Sequence, residues 1–306
     1  LYLSEDGAYG PEPAQVFASA NRLDELGRSM DLADMNGDGL TDLIYGIRYS
    51  DGNGRDSGTI MVHLGQPSGL FAEEPSSVIN GPQSDTEFGF SLVVCDFNGD
   101  GYKDIAVGAL TYEDREIQPV VWNHGALVIH LGHQDGLLHQ ADEIIAGQLP
   151  NEAGQWSAVR DMYFGRTVSA GDFDGDGLCD VAVTAMSWRN GNAGDVFLYR
   201  GRAPDGLYPG GVARLPSVWF TPDTMVNQNG EFGRRLSMGD VNGDGRADLL
   251  VGHNAADEAG PNTGSVHLFL GTALGMNPEL VTRTSSEADW TQSGNNWDHF
   301  GTEAKI

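Results

Sequence analysis

Short runs of apolar residues recur along the chain, and each run follows a turn rich in Asp and Gly. These runs occupy residues 43–45, 105–107, 181–183 and 249–251. Runs of this length, bounded by turn residues, are typical of strands that are covered on both faces. A second apolar segment follows each run, at 60–64, 127–131, 196–199 and 266–270. No segment has a sustained helical period, so the pattern predicts units of four short antiparallel strands.

A hydrophobic residue followed by Gly marks the start of each unit. The pairs are Leu26-Gly27, Phe88-Gly89, Phe164-Gly165 and Phe232-Gly233, and a fifth pair, Phe300-Gly301, lies near the end. Such regular recurrence indicates an array of structural repeats. Four-stranded sheets stacked radially form a β-propeller, in which neighbouring blades cover each other's faces. We therefore predict an all-β propeller in a single domain, 1–306, with complete blades at 26–87, 88–163, 164–231 and 232–299.

Both ends of the sequence read as parts of further blades. Residues 1–25 align with the third and fourth strands of a unit, and residues 300–306 align with a first strand. Since the chain begins at Leu1 rather than Met, we expect a processed or excised piece. We also expect blades before Leu1 and a fifth acidic loop two residues beyond Ile306.

The acidic turns place side-chain oxygens at fixed positions. Counted from the first Asp, these oxygens fall at positions 1, 3, 5 and 9, with Gly at positions 4 and 6. The four sets are Asp34, Asn36, Asp38 and Asp42; Asp96, Asn98, Asp100 and Asp104; Asp172, Asp174, Asp176 and Asp180; and Asp240, Asn242, Asp244 and Asp248. Calcium takes roughly six to eight such oxygens in a flexible shell. Position 7 holds Leu40, Tyr102, Leu178 and Arg246, which share no side-chain chemistry, so a backbone carbonyl ligand is expected there.

Other interpretations of these loops fit less well. An EF-hand needs Glu at position 12, where this chain has Tyr45, Val107, Val183 and Val251. Magnesium prefers rigid octahedra with retained water, and zinc prefers His or Cys. A turn without metal is a reasonable alternative for one loop, because Asp, Asn and Gly are common turn residues. Four loops that each keep an acid at position 9 favour four calcium sites.

These loops and the preceding Phe-Gly pairs resemble the FG-GAP repeats of integrin α-subunit propellers and their bacterial relatives. The resemblance implies a propeller of about seven blades whose loop aspartates bind calcium. The Gly-Ala-Pro element of that family is only partly kept, as Gly46-Ile47, Gly108-Ala109, Thr184-Ala185 and Gly252-His253. Because no Asn-x-Ser/Thr sequon occurs, a bacterial or archaeal surface protein is expected rather than an integrin.

Charge and cysteine content restrict the partners. The formal net charge is −27, from 44 acidic and 17 basic residues, and this excess repels nucleic acid and anionic membranes. No run of apolar residues is long enough to insert into a membrane. The two cysteines, Cys95 and Cys179, have no metal-ligand spacing, and we expect small buried thiols rather than a bridge.

Aromatic residues concentrate in the predicted loops opposite the acidic turns. They are Tyr49, Tyr112, Trp122, Trp156, Trp188, Trp290 and Trp297, and the insertion at 111–124 lengthens one of these loops. Because Tyr and Trp are enriched at recognition surfaces, this face is the predicted site for a protein or glycan ligand. The alternative is that the rings fill gaps between blades.

The predicted function is an extracellular adhesion or ligand-binding module, secreted or on the cell surface. Further domains of a longer chain are among its expected partners. No catalytic motif appears, so an enzyme is not expected. Two alternatives stay open. One is a structural module of a surface array or filament. The other is the propeller of a calcium-dependent polysaccharide-degrading enzyme, for which Arg48, Arg55, Arg115 and Arg189 could supply basic groups.

Overall fold

The computed structural model is an all-β propeller arrangement built from antiparallel sheets. It describes residues 4–5, 8–9, 12–19, 21, 23–115, 120–134, 141–150, 155–186, 194–205, 210–223, 231–254, 263–274 and 280–294. Within these residues no helix is long and apolar enough to cross a membrane. The segment 300–306, predicted as a first strand, lies outside the described residues.

The strands group into four blades and several short hairpins. A hairpin of β1 (Ser4–Glu5) and β2 (Ala8–Tyr9) comes first. Blade I contains β3 (Leu26–Ala33), β4 (Asp42–Ile47), β5 (Thr59–His63) and β6 (Ser77–Asn80). Blade II contains β7 (Phe88–Cys95), β8 (Asp104–Ala109), β9 (Ala126–His130) and β10 (Glu143–Ala146). The connection to the next blade carries the hairpin β11 (Gln148–Pro150) and β12 (Trp156–Ala158).

Blades III and IV follow the same order. Blade III contains β13 (Val168–Gly171), β14 (Asp180–Ala185) and β15 (Asp195–Tyr199), then the hairpin β16 (Gly201–Arg202) and β17 (Gly211–Val212), and last β18 (Val218–Thr221). Blade IV contains β19 (Phe232–Gly239), β20 (Asp248–His253) and β21 (Ser265–Phe269). The strands β22 (Val281–Thr284) and β23 (Trp290–Ser293) follow, separated by the 3₁₀ turn Ser285–Glu287.

The last two strands differ from the expected blade. The sequence pattern predicts four antiparallel strands within 232–299, but β22, the fourth strand of this segment in chain order, instead pairs in parallel with β18 of blade III. The strand β23 takes the fourth position by pairing with β21. A strand's partner depends on which sheet edge lies beside it, and sequence similarity between repeats does not report that edge.

The residues 12–19, predicted as a fourth strand of an earlier blade, form no assigned strand. They lie instead along blade I. The side chain of Gln15 exchanges two 2.9 Å hydrogen bonds with the backbone of Phe71, and the ring of Phe17 lies 4.5 Å from that of His63. This segment therefore covers the outer part of blade I.

The hydrophobic-glycine pairs hold neighbouring blades together. Phe88 is completely buried, and Gly89 has a positive φ of 84° at a bulge in β7. The hydroxyl of Ser29 donates to the carbonyl of Gly89 at 2.8 Å, and that of Ser91 donates to Gly165 at 2.7 Å. Since the first strands of successive blades also contact one another, they line the axis of the propeller.

The apolar second strands are buried between blades, as the sequence pattern predicts. β8 and β14 are buried at every residue. One core cluster joins Ile44 and Ile60 of blade I to Phe88 and Val107 of blade II. Similar clusters lie between blades II and III and between blades III and IV. Each blade interface thus removes one face of two sheets from water, which is the main source of stability in such a fold.

Candidate metal-binding loops

The first Asp of each acidic loop organises the backbone around itself. In the blade I loop, Asp34 Oδ1 accepts the N–H of Gly37 at 2.7 Å, and Asp34 Oδ2 accepts that of Gly39 at 2.8 Å. Both glycines have positive φ, 72° and 84°, a conformation that costs glycine little. Asp96, Asp172 and Asp240 make the same pair of bonds in their loops. The fold thus repeats one tight turn at four places.

Positions 3 and 5 are held beside each other. In the blade I loop, the side-chain oxygen of Asn36 accepts the N–H of Asp38 at 3.1 Å, and the Asn36 amide donates to Asp38 Oδ2 at 3.0 Å. Asp38 Oδ1 in turn accepts the N–H of Leu40. The loops of blades II and IV repeat these contacts. The side chains of positions 3 and 5 therefore lie beside each other in these three loops.

The Asp at position 9 also connects each acidic loop to the third strand of its blade, a role that the sequence spacing did not indicate. Asp104 is completely buried, its Oδ2 accepts the N–H of Phe97 at 2.8 Å, and its Oδ1 accepts that of Gly132 at 2.8 Å. Asp42, Asp180 and Asp248 bind the corresponding two amides in their blades. This carboxylate ties the loop to the glycine after the third strand. Each oxygen has a second lone pair, so this tie and a metal ligand are compatible.

Burial shapes the ionisation of the position 9 carboxyls. It raises the pKa of Asp104 and of Asp180 to about 7, although the two backbone N–H bonds at each group oppose the shift. Burial also raises the pKa of Asp42. A bound cation favours the ionised form of any nearby carboxyl, so ion binding at these loops would be linked to proton release.

The loop of blade III has the densest carboxylate cluster. Asp172, Asp174 and Asp176 each offer one carboxylate oxygen within 4.8 Å of the others. The Asp174 side chain is only 1% exposed, and Arg200 Nη2 lies 2.5 Å from its Oδ2 atom and 2.8 Å from Asp176 Oδ2. Burial raises the pKa of Asp174, and Arg200 opposes that rise. The donor set of three hard oxygens fits a cation of the calcium type.

The predicted ligand position 7 also joins neighbouring loops. A Cβ atom placed on Gly99 of loop II would meet the side chain of Leu178 of loop III, and one placed on Gly175 would meet that of Arg246 of loop IV. The backbone supports the same contact, because Ala247 donates its N–H to the carbonyl of Asp172 at 2.7 Å. The side chains of Leu178 and Arg246 therefore pack on the preceding loop, which leaves the backbone of position 7 for an ion in loops III and IV.

The expectation of free cysteines is wrong, because Cys95 and Cys179 form a disulfide across 84 residues of sequence. Cys95 precedes loop II directly, and Cys179 is position 8 of loop III, where its N–H donates to the carbonyl of Asp96 at 3.1 Å. Adjacent blades bring the two thiols together, and their sequence spacing gave no sign of it. A disulfide is typical of proteins in oxidising compartments.

Three of the predicted ligand-face residues lie in loops opposite the acidic turns, and they differ in how exposed they are to solvent. Trp122 is 54% exposed. Tyr49 is half-buried, with the guanidinium of Arg48 4.3 Å from its ring centre. Tyr112 packs edge-on against the buried ring of His124 at 5.6 Å. Trp122 is therefore the residue among these three that is most open to a partner.

Among the remaining predicted ligand-face residues, the two that the structure describes, Trp156 and Trp290, lie in different surroundings. Trp156 starts β12 and packs edge-on on Phe197 at 6.4 Å, so it belongs partly to the core. Trp290 is not in a connecting loop. It lies in β23 opposite Leu268, near the acidic-loop end of blade IV, and is 50% exposed. Trp188 and Trp297 lie outside the described residues.

Comparison with known families supports the repeat assignment. Residues 34–107 match the FG-GAP-like repeat, and residues 164–199 and 232–269 match the FG-GAP repeat. The matched segments contain the loops of blades I and II, of blade III and of blade IV. They also contain the second strands of blades I, III and IV and residues 104–107 of the second strand of blade II.

Several curated relatives are integrin α chains. Integrin alpha-V of Gallus gallus is 29% identical over 260 residues, which cover 84% of this chain and 22% of that protein. Integrin alpha-PS5 of Drosophila melanogaster is 35% identical over 188 residues, which cover 60% of this chain and 17% of that protein. The chain thus spans about a fifth of the length of these relatives.

Two rhamnogalacturonan lyases are among the solved structures that match part of the chain. The rhamnogalacturonan lyase PL11 of Bacillus licheniformis has a TM-score of 0.42 at 15% identity, covering 79% of this chain and 46% of that one. The exotype rhamnogalacturonan lyase YesX has a TM-score of 0.44 at 15% identity, covering 79% of this chain and 44% of that one.

Proposed function

Because this chain is an FG-GAP-repeat β-propeller of the integrin α type, we propose that it is a calcium-stabilised extracellular module that binds a protein or glycan ligand. The observation that carries the calcium assignment is the triplet Asp172, Asp174 and Asp176, with one oxygen of each within 4.8 Å of the others. The disulfide between Cys95 and Cys179 supports an oxidising, extracellular location.

Calcium supplies positive charge to carboxylates that otherwise repel one another. Asp172 and its counterparts fix the conformation of each turn by accepting backbone N–H bonds. The Asp at position 9 then connects the turn to the glycine after the third strand. Positions 3 and 5 then offer side-chain oxygens that lie beside each other in the loop. An ion held in this way binds the folded chain and not the unfolded one, so it stabilises the fold.

Chelation tests the calcium assignment. Excess EGTA should lower the melting temperature by more than Asp174→Ala does in calcium, because the variant loses one site and keeps three. The number of bound ions, measured by equilibrium dialysis, should fall from four to three in the variant. Identical melting curves in calcium and in EGTA would refute the assignment.

Two tryptophans of similar exposure provide a matched test of the ligand face. Trp122 is 54% exposed in a loop opposite the acidic turns, and Trp290 is 50% exposed near the acidic-loop end of blade IV. On protein and glycan arrays, Trp122→Ala should lose the signal and Trp290→Ala should keep it. If both variants lose the array signal equally and keep the wild-type melting temperature, the ligand does not bind selectively to the face that carries Trp122.

Two of the four arginines considered for catalysis, Arg48 and Arg55, are paired with acids of the chain. Arg48 lies 2.8 Å from Glu87 and 3.1 Å from Glu25, and Arg55 is paired with Asp85. A polysaccharide-degrading enzyme would need such a group available to the sugar carboxylate, and these two are engaged by acids of the chain itself.

A further inference from the structure

A cavity lies in the outer part of the interface between blades II and III. Its volume is about 490 Å³, which is within the range of about 300–1,000 Å³ that is common for small-molecule sites. Its lining includes all four residues of β10, Glu143 to Ala146, and the segment 214–216 that precedes β18. The cavity therefore follows the outermost strand of blade II along its length.

The lining combines apolar and aromatic side chains with a few polar groups. Ile145 is buried, Leu215 is 56% exposed, and Trp156 is half-buried with its ring edge-on to that of Phe197 at 6.4 Å. The polar members are Asp114, Asp142, Glu143, Gln148, Tyr199 and Arg214. This combination is typical of a ligand site, in which apolar surface provides contact area and a few polar groups fix the orientation of the ligand.

Tyr199 lines the cavity and carries a buried hydroxyl that the chain itself does not use. The residue is only 3% exposed, and its ring packs edge-on to that of Phe164 at 6.0 Å. Among the described residues no group forms a hydrogen bond with the Tyr199 hydroxyl, and burial alone raises the pKa of this phenol. A buried hydroxyl without a partner is unfavourable. A ligand in the cavity that bonds to the phenol would remove this cost.

Asp142 offers the cavity a carboxylate whose position is fixed. Its Oδ2 atom accepts the N–H of Leu131 at 2.7 Å, and its own N–H donates to the carbonyl of Ile129 at 2.9 Å. These two bonds attach the residue to the end of β9. Because a carboxylate has about four acceptor sites, Asp142 can still accept a hydrogen bond from a ligand.

The charged groups of the lining disfavour an ionic ligand. Arg214 donates to Glu143 Oε1 at 2.9 Å, so its guanidinium already contacts an acid. Within the described lining, an anion would meet this arginine together with three acids, Asp114, Asp142 and Glu143. An ammonium group has donors only, so it would leave the phenolic proton of Tyr199 without an acceptor.

We propose that this cavity between blades II and III binds a neutral pyranose ring of a glycan. A sugar hydroxyl is both a donor and an acceptor, so the ring can accept a hydrogen bond from Tyr199 and donate one to Asp142. Its apolar C–H groups can pack against Trp156 and Leu215. The cavity does not include Trp122, so the inference goes beyond the proposed function and does not rest on it.

The test uses the full chain in calcium, labelled with ¹⁵N-tryptophan. The probes are the methyl β-pyranosides of glucose, galactose and mannose, with the methyl glycoside of galacturonic acid and Nα-acetyl-lysine-methylamide as comparison ligands. At least one neutral glycoside should produce a saturable shift of the Trp156 indole N–H resonance, which is assigned by its absence in Trp156→Phe. Because the ligand is uncharged, its affinity should change by less than about twofold between about 0.05 M and about 0.5 M NaCl.

Tyr199→Phe removes only the hydroxyl. It should weaken binding of the neutral glycoside by about fivefold, and its melting temperature should equal or exceed that of the wild type, because no hydrogen bond within the described chain is lost. The matched control is Tyr45→Phe in blade I, since the Tyr45 hydroxyl lies 3.1 Å from His63 Nε2. This control loses a hydrogen bond, so it should have a lower melting temperature and unchanged glycoside binding.

Three results would overturn the inference. They are no saturable shift with any of the three neutral glycosides, shifts with the galacturonide or the lysine derivative alone, and equal affinity of Tyr199→Phe and the wild type. If Tyr199→Phe fails to fold, Asp142→Asn takes its place. Asn keeps an acceptor for the N–H of Leu131 and should weaken binding, because a neutral amide oxygen accepts a hydroxyl less strongly than a carboxylate does. A negative result with calcium stabilisation and Trp122-dependent capture intact would refute this inference and leave the proposed function standing.

Discussion

Arg200 Nη2 lies 2.5 Å from Asp174 Oδ2, so the loop of blade III contains a cation supplied by the chain itself. The residues at the corresponding position of the other blades are Leu64, Leu131 and Leu270. The blade III loop is also the one with Asp rather than Asn at position 3. The additional carboxylate and the additional guanidinium therefore occur in the same blade and contact each other.

Arg200→Leu tests the role of this pair. Without calcium, the variant should lose about 3 kcal/mol of stability, because it leaves the buried Asp174 carboxylate without a partner. With saturating calcium the loss should be much smaller, since the ion supplies the missing charge. Urea unfolding in EGTA and in calcium measures both values.

The matched control is Arg202→Leu, two residues along the chain. The Arg202 and Asp205 side chains are 41% and 49% exposed, and exposed pairs contribute little, so this variant should resemble the wild type in both buffers. A calcium-independent loss in Arg200→Leu would show that the guanidinium and the ion do not share a site.

The disulfide should contribute strongly to stability. Its 84-residue separation predicts a loss of about 4 kcal/mol on removal, if the bond acts by restricting the unfolded chain. Cys95→Ser/Cys179→Ser should therefore have a lower urea midpoint than the oxidised wild type, and the wild type treated with reductant should approach the variant. Alkylation of the unfolded, unreduced chain followed by mass spectrometry would detect free thiols if the bond were absent.

Asp195 should make stability fall as pH rises. Burial raises its pKa to about 7, although a 2.8 Å hydrogen bond from Trp219 Nε1 opposes the shift. Between about pH 4 and pH 7 the unfolded state loses this proton and the folded state keeps it, so the free energy of unfolding decreases with pH. Asp195→Asn keeps an acceptor for Trp219 and cannot ionise. The variant should therefore gain stability over the wild type across this window, by an amount on the order of a few kcal/mol at pH 8.

Asp223 should have the opposite effect on the pH dependence of stability, because its pKa is lowered rather than raised. Burial would raise its pKa, but hydrogen bonds from Thr284, Ser286 and Ser285 lower it below the usual value. Asp223→Asn should therefore lose stability relative to the wild type as the pH rises through the lowered pKa of Asp223 towards the usual value of about 4, and the loss should stay constant above about pH 5. A difference between Asp195→Asn and the wild type that stays constant from pH 4 to pH 8 would contradict the assigned protonation of Asp195.

Gly108 should not tolerate a side chain. A Cβ atom at this position would collide with the backbone carbonyl of Gly165 in the next blade, so Gly108→Ala should separate blades II and III and lower the melting temperature by several degrees. Thr184 occupies the equivalent place in blade III, and there Thr184→Ala should cost much less. A melting temperature for Gly108→Ala equal to that of the wild type would show that the blades can move apart without cost.

Much of the architecture followed from local pattern. The apolar second strands, the hydrophobic-glycine pairs and the acidic loops each reflect interactions within a few residues, such as the bonds from Gly37 and Gly39 to Asp34. The sequence therefore predicts the number of described blades, the order of their strands and the position of the loops. The same local geometry recurs wherever the same residues recur, which is why repetition made the prediction firm.

Contacts between blades depended on the tertiary structure. The Cys95–Cys179 disulfide, the parallel pairing of β22 with β18, and the position of Trp290 near the acidic-loop end all join segments that are distant in sequence. The sequence alone shows that Arg200 stands where the other blades have Leu. It does not show which acid Arg200 contacts, because the position of that acid depends on how the chain folds in three dimensions. The sequence by itself determined which residues form each blade and loop, and the packing of blades around an axis decided which of them meet.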